Sequence, residues 1–240
     1  MLANTPITPP EDKPAEAYRP GTIRSELLDF IAEELPRWRD HPDRKPETAE
    51  AKLTDQLCDH LDSAAGCSDA WDWIHFRTEI PDETRPGRKI DLAAKPRGDA
   101  RLIEGQRHTQ FDTLLSIECK RLPTPKEKGR DEREYVVTEK GATGGIQRFK
   151  FGHHGATHRV AGMIAYVQEQ TCEHWLRRVN GWISDLAKKT DSGWSDLDVI
   201  EKMKGNSVGG ACRLRSRHER RGEAEKFEEI EIDHLWIDMN

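Results

Sequence analysis

No stretch of this chain approaches the apolar length needed to cross a bilayer, which argues against a membrane-spanning helix. Cysteine is sparse and irregular. Five residues, an odd number, stand at positions 58, 67, 119, 172 and 212. They form neither a zinc-ligand pattern nor a disulfide framework, so a reduced, cytoplasmic protein is expected. The polar, proline-rich beginning has no apolar core of a secretory signal, which carries the same expectation. A phosphate-binding Gly-Lys-Ser/Thr loop and a dinucleotide fingerprint are both missing. Positive charge is not in excess either: the formal net charge is −6. That argues against a basic coat, though a local basic cleft could still meet a polyanion, because the distribution of charge matters more than its total. No internal repeat is present.

What remains is 240 residues, 34% charged and 35% hydrophobic, enough for one α/β domain with a core. Residues 1–20 are expected to be a flexible proline-rich tail, and 21–240 a single domain. Ile23, Leu27, Leu28, Ile31 and Leu35 recur at helical spacing, predicting an accessory helix over 22–37 that Thr22 is able to cap. Leu53, Leu57 and Leu61 predict a second helix over 47–65. Trp73 to Ile80 alternates as a strand. Val160 to Val167 is apolar throughout, as in a strand buried on both faces. Trp175, Leu176, Val179, Trp182, Ile183 and Leu186 predict an amphipathic helix over 172–188. Residues 205–210 read as a turn, and 227–239 as one or two strands that close the sheet.

The chain is organised around Thr113–Leu122. Leu114, Leu115 and Ile117 form an apolar run of strand length, which then ends in Glu118, Cys119 and Lys120. Alternation puts Glu118 and Lys120 on one face and turns Cys119 toward the core. Two ionisable groups at the end of a core strand are costly unless they perform some task. Upstream, Ile90 and Leu92 flank Asp91 on another strand-like run, 88–94. If the two strands pair, Asp91 lies beside Glu118 and Lys120. Two carboxylates and a lysine make a hard, oxygen-rich site, suited to Mg²⁺ or Mn²⁺ rather than zinc. Glu-x-Lys also occurs at Glu11 and at Glu50, but neither of those ends an apolar strand. The competing reading of Glu118 and Lys120 is a salt-bridged strand end at the surface.

Ile90-Asp91 followed by Glu118-Cys119-Lys120 resembles the PD-(D/E)xK nuclease superfamily, over roughly residues 45–170. The proline of the motif is absent, with Lys89-Ile90 in front of Asp91. The resemblance implies a restriction-endonuclease-like core of helix, three strands, helix and strand, with a mixed central sheet and an added N-terminal helix and C-terminal strands. It implies a metal-dependent deoxyribonuclease, restriction-like or associated with anti-phage defence. Asp91 and Glu118 would hold Mg²⁺ or Mn²⁺ with the Cys119 carbonyl, and Lys120 would orient or deprotonate a water. DNA is the implied partner, with a co-encoded protein or a second copy of the chain left open.

Glu50 is a third match to the motif, as an acid borne on the preceding helix. The alternative is a first-turn glutamate that only complements the helix dipole. Glu47 is the runner-up. Gln147, Arg148 and Lys150, on the helix after the Glu-x-Lys strand, are expected to face a nucleic-acid cleft. Arg217 belongs to an alternating basic run with Arg213 and Arg215, which either contacts phosphate or pairs with acidic neighbours. Gly141–Gly145 either cradles a phosphate or is a plain turn. His154 and His158, four apart, lack the glutamate of a zinc helix, so phosphate contact or plain surface is expected of them. Arg97 to Asp112 reads as an insertion facing substrate. Tyr135–Thr138 is a short strand or part of the substrate loop. Two other classes compete: a catalytically silent nucleic-acid-binding or assembly subunit of a defence or repair complex, and a hydrolase of RNA or small molecules on the same core.

Overall fold

The structure, a computed structural model, describes residues 22–82, 87–127, 129–139, 142–221 and 227–240. The expected tail and Gly141 lie outside them. The described residues form a mixed α/β fold around one large sheet. Helix α1 (Thr22–Arg39) buries Leu27, Leu28, Ile31, Leu35 and Trp38, and continues two residues past the expected end. Helix α2 (Glu50–Gly66) starts three residues later than expected, because Glu47 sits in the turn before it. The Glu47 Oε1 accepts from the N–H groups of Thr48 and Ala49 at 2.7 and 3.0 Å.

Strands β1 (Ile74–Pro81) and β2 (Lys89–Pro96) form an antiparallel hairpin. The long connection after them builds its own two-stranded hairpin, β3 (Arg101–Ile103) and β4 (Gln106–His108). Then come β5 (Leu115–Leu122), α3 (Gly145–Lys150), β6 (Val160–Val167), α4 (Cys172–Ala187), β7 (Glu201–Val208), β8 (Ala211–Glu219) and β9 (Glu229–Asp238). The seven-stranded sheet runs β1-β2-β5-β6-β9-β8-β7. Strands β5, β6 and β9 are parallel, and the other pairs are antiparallel.

Two elements correct the reading of the sequence. Residues 205–208 belong to β7, and the turn contracts to Gly209 and Gly210. Their φ values of +57° and +86° suit a two-residue hairpin loop. The last strand does not close the sheet. It lies between β6 and β8, where Ile230, Ile232, Leu235, Trp236 and Ile237 are all buried.

Alternation along β6 separates two cores. Val160, Ile164 and Tyr166 pack with α1 and α2, while Ala161, Met163, Ala165 and Val167 pack with α3 and α4. Tyr135, Val136 and Val137 are buried in the second core. They are therefore neither strand nor substrate loop. Their neighbourhood explains the glycines. A Cβ at Gly144 would stand 2.3 Å from the Val137 Cα. The first N–H groups of α3, those of Gly145, Ile146 and Gln147, already donate to the carbonyls of Glu134, Tyr135 and Val136. The glycine stretch serves close packing, and those N–H groups are not free to cradle a phosphate.

Behind α3 runs a buried hydrogen-bond relay. Asp198, in a 3-10 turn over Asp196–Asp198, accepts from Lys150 Nζ and from His218 Nδ1, both at 2.7 Å. Burial holds His218 below its usual pKa despite Asp198, and drives His234 well below. With neutral imidazoles the protons follow in order. The Ser216 hydroxyl donates to His218 Nε2 (2.7 Å), and His234 Nε2 donates to the Ser216 oxygen (2.8 Å). Tyr135 O–H donates to His234 Nδ1, and Trp236 Nε1 donates to the Tyr135 oxygen, both at 2.7 Å.

An acid lability follows from the two buried histidines. The unfolded chain takes up their protons near pH 6.5, and the folded chain only at lower pH. Stability is therefore intact above that value and falls as pH drops. Between pH 6.5 and 5.5 the loss is about 1 kcal/mol for His234, whose folded pKa lies well below the window, with a further contribution of the same sign from His218. Urea midpoints at the two pH values measure it. His234→Gln, which keeps a donor and an acceptor without titrating, is expected to flatten the slope.

Candidate active site

The last pairs between β2 and β5 are Ala94 with Leu115, Ala93 with Ser116 and Leu92 with Ile117. One step further Asp91 would face Glu118, but there the ladder has ended. The Asp91 side chain fills the gap: its Oδ2 accepts the Cys119 N–H at 2.9 Å. The main chain of β5 is thus satisfied by a carboxylate rather than by a neighbouring strand, and the two strands part around charged side chains.

Lys120 is the centre of that opening. Its Nζ lies 2.9 Å from Glu118 Oε1, 3.2 Å from Asp91 Oδ2, 3.4 Å from Glu50 Oε1 and 2.9 Å from the Cys119 carbonyl oxygen. Glu50, the first residue of α2, arrives from the other side of the sheet. Its Oε2 accepts the Arg121 N–H at 3.0 Å. Cys119 is buried among α2 and Tyr166, as alternation requires.

Glu118 is wholly buried. Its Oε1 also receives Arg148 from α3, and its Oε2 is 3.0 Å from His154 Nδ1. Burial alone would raise its pKa. The Lys120 charge, the His154 hydrogen bond and the Arg148 charge outweigh burial and hold it well below the usual carboxylate range. Asp91 goes the other way, pushed up to about 6 by burial and by the Glu118 charge. Burial disfavours the Lys120 ammonium, but Glu118, Asp91 and Glu50 together raise its pKa well above the ordinary value. Lys120 is therefore a fixed cation here, not a neutral base.

The structure brings Glu50, Asp91, Glu118, Cys119 and Lys120 to one place, together with Arg148. It does not do so for the other expected residues. Lys150 is 2% exposed and pairs with Asp198 at 2.7 Å, so it faces the core instead of a cleft. Gln147 is buried as well. Its Oε1 accepts the N–H groups of Thr138 and Gly144, which ties down the start of α3. Arg217 is exposed and stands 3.4 Å from Glu231. Arg213 and Arg215 pair with the buried Asp233, so the basic run mostly meets acidic neighbours. Glu47 caps its own turn and contributes nothing at the site. The 97–112 segment leaves β2 at the end opposite Asp91, because the strand carries Asp91 near its start. It does not face the site.

His154 and His158, expected to contact phosphate or lie at the surface, are both buried in the turns of residues 151–158, and His154 reaches Glu118 instead. A usable signal was the distance in sequence from the Glu-x-Lys strand, a crossover that must return to lie beside it.

A second constellation looks chemical and is not open. Asp198, His218 and Ser216 are linked in the order that nucleophilic hydrolases use. However, Ser216 is 3% exposed, and its oxygen is hemmed between His218 and His234. The cluster is core.

Among the described residues, no three His, Cys, Asp or Glu side chains are grouped so as to hold a metal ion by themselves. The acids here converge on the Lys120 ammonium instead. Two carboxylates, a backbone carbonyl and water are nonetheless a donor set that Mg²⁺ uses, since it keeps several of its waters. No helix among the described residues is long and apolar enough to cross a membrane. No protein-family model, curated protein or solved structure matches the chain.

Proposed function

We propose that this protein is a Mg²⁺- or Mn²⁺-dependent deoxyribonuclease of the PD-(D/E)xK type, restriction-like or defence-associated. One observation carries the reading: oxygens of Asp91, Glu118, Glu50 and the Cys119 carbonyl gather within 3.4 Å of a single cationic atom, Lys120 Nζ, where β2 and β5 part. The element order α2, β1, β2, β5, α3, β6 supports it, as does the parallel pairing of β5 with β6.

The residues fit a hard divalent cation. Asp91, Glu118 and the Cys119 carbonyl would hold it, with Glu50 at the rim. When bound, such an ion supplies Lewis acidity and a water of lowered pKa. The remaining chemistry falls to the chain. Lys120 is placed among the carboxylates to orient the water by donating a hydrogen bond and to offset charge on the phosphate. Asp91 keeps the strands apart through Cys119, which leaves the carbonyl of that residue facing the site. DNA, and a co-encoded protein or a second copy, are the proposed partners.

The test is cleavage of supercoiled plasmid and single-stranded DNA in Mg²⁺, Mn²⁺ and EDTA. Nicking or degradation in either metal and none in EDTA is expected. DNA binding without cleavage in any metal would instead favour the silent subunit.

A further inference from the structure

The three groups on Glu118 are not equivalent. His154 holds Oε2 from a loop that is itself pinned: Arg220 donates to the carbonyls of Gly155 and His158 at 2.6 and 2.8 Å. The His154 side chain is 2% exposed, and that of Lys120 is 6% exposed. Arg148 shares Oε1 with Lys120, yet its side chain keeps 21% of its surface in solvent. Glu118 therefore has one buried, tethered anchor on Oε2, while on Oε1 it has one buried cation and one that reaches water.

Charge bookkeeping gives that difference a meaning. Glu50, Asp91 and Glu118 face Lys120 and Arg148, which leaves one net negative charge. A divalent cation would turn this into one net positive charge and place a third positive group on the carboxylates. One phosphodiester then restores neutrality. Repulsion falls on the group free to leave, which is Arg148, and a guanidinium matches two phosphate oxygens with its planar fork.

We propose that Arg148 is an exchangeable counter-ion, paired with Glu118 in the cation-free protein and transferred to the scissile phosphodiester when a divalent cation occupies the carboxylates. This rests on the nuclease reading above. Glu118 keeps its orientation through the exchange because His154 is buried and tethered. Arg148 thus contributes in two opposed ways: it competes with the metal in the free protein and stabilises phosphate charge in the complex.

The opposition gives the test its sign. Mn²⁺ binding to the DNA-free protein is measured by calorimetric titration, alongside single-turnover cleavage of a DNA duplex. Both are done for wild type, Arg148→Gln and Arg148→Lys. Removing the competing charge in Arg148→Gln is expected to tighten Mn²⁺ binding about tenfold while slowing cleavage on the order of a hundredfold. Arg148→Lys keeps the charge but not the fork. It is expected to bind Mn²⁺ as wild type does and to cleave at an intermediate rate, which also guards against a folding defect in the glutamine variant. Mn²⁺ binding that is unchanged or weakened in Arg148→Gln overturns the proposal, since a residue that merely positions Glu118 would do that. Cleavage by Arg148→Gln at the wild-type rate overturns it too and leaves the nuclease reading standing. Wild type that cleaves no DNA in any metal removes both.

Discussion

Lys120→Ala is expected to lower metal-dependent DNA cleavage by about a thousandfold, the scale for losing a preorganised charge at a reacting phosphate. The same substitution should destabilise the metal-free protein by about 1.5–3 kcal/mol, because the wholly buried Glu118 loses a partner 2.9 Å away while keeping Arg148 and His154. The two effects separate on adding Mn²⁺. An ion in the vacated space replaces the lost ammonium, so Mn²⁺ should raise the melting temperature of Lys120→Ala more than that of wild type. Cleavage should not return with it, because the ion does not replace a lysine that orients water. Thermal melts with and without Mn²⁺, run beside the plasmid assay, check both halves. Cleavage that survives Lys120→Ala would place the active site elsewhere.

Lys150→Met is expected to unfold more easily by about 3–5 kcal/mol, with little direct effect on DNA affinity. Lys150 and Asp198 are each about 2% exposed at their side chains, and removing the lysine takes away the cation beside a buried carboxylate, leaving it only the hydrogen bonds from His218 and Ser195. Lys150 also donates to the Glu219 carbonyl at 3.2 Å and lies 5.5 Å from the centre of the Trp194 ring. These contacts hold the Lys150 ammonium in the interior. Denaturant midpoints give the stability loss. The salt dependence of DNA binding gives the other half, because losing a phosphate-contacting lysine lowers the slope by about one ion. An unchanged slope with a large loss of stability is the expected outcome, and a reduced slope in a stably folded variant would restore Lys150 to the DNA surface.

The contrast between Arg148 and Lys150 shows where sequence reading stops. They are two residues apart on one six-residue helix, both basic, and both expected to face a cleft. One reaches Glu118 and the other Asp198, forty-eight positions later in the chain. No local pattern separates them, because the deciding partners come from β5 and from the turn before β7. The same holds for His154 and for the glycines at 144 and 145. Their roles depend on which backbone passes within a few ångströms, and composition does not encode that distance.

What the sequence determined alone was its periodic part. The all-apolar run of β6, the amphipathic stripe of α4 and the alternation that sets Glu118 and Lys120 on one face with Cys119 inward are consequences of residue spacing. Each depends only on neighbours a few residues away, so local stereochemistry is sufficient. Only the tertiary structure decided that β2 and β5 part after Leu92 and Ile117, that Asp91 takes over a ladder hydrogen bond, and that Lys120 is encircled by four oxygens. Those facts require three elements to meet, and their geometry is set by packing across the sheet.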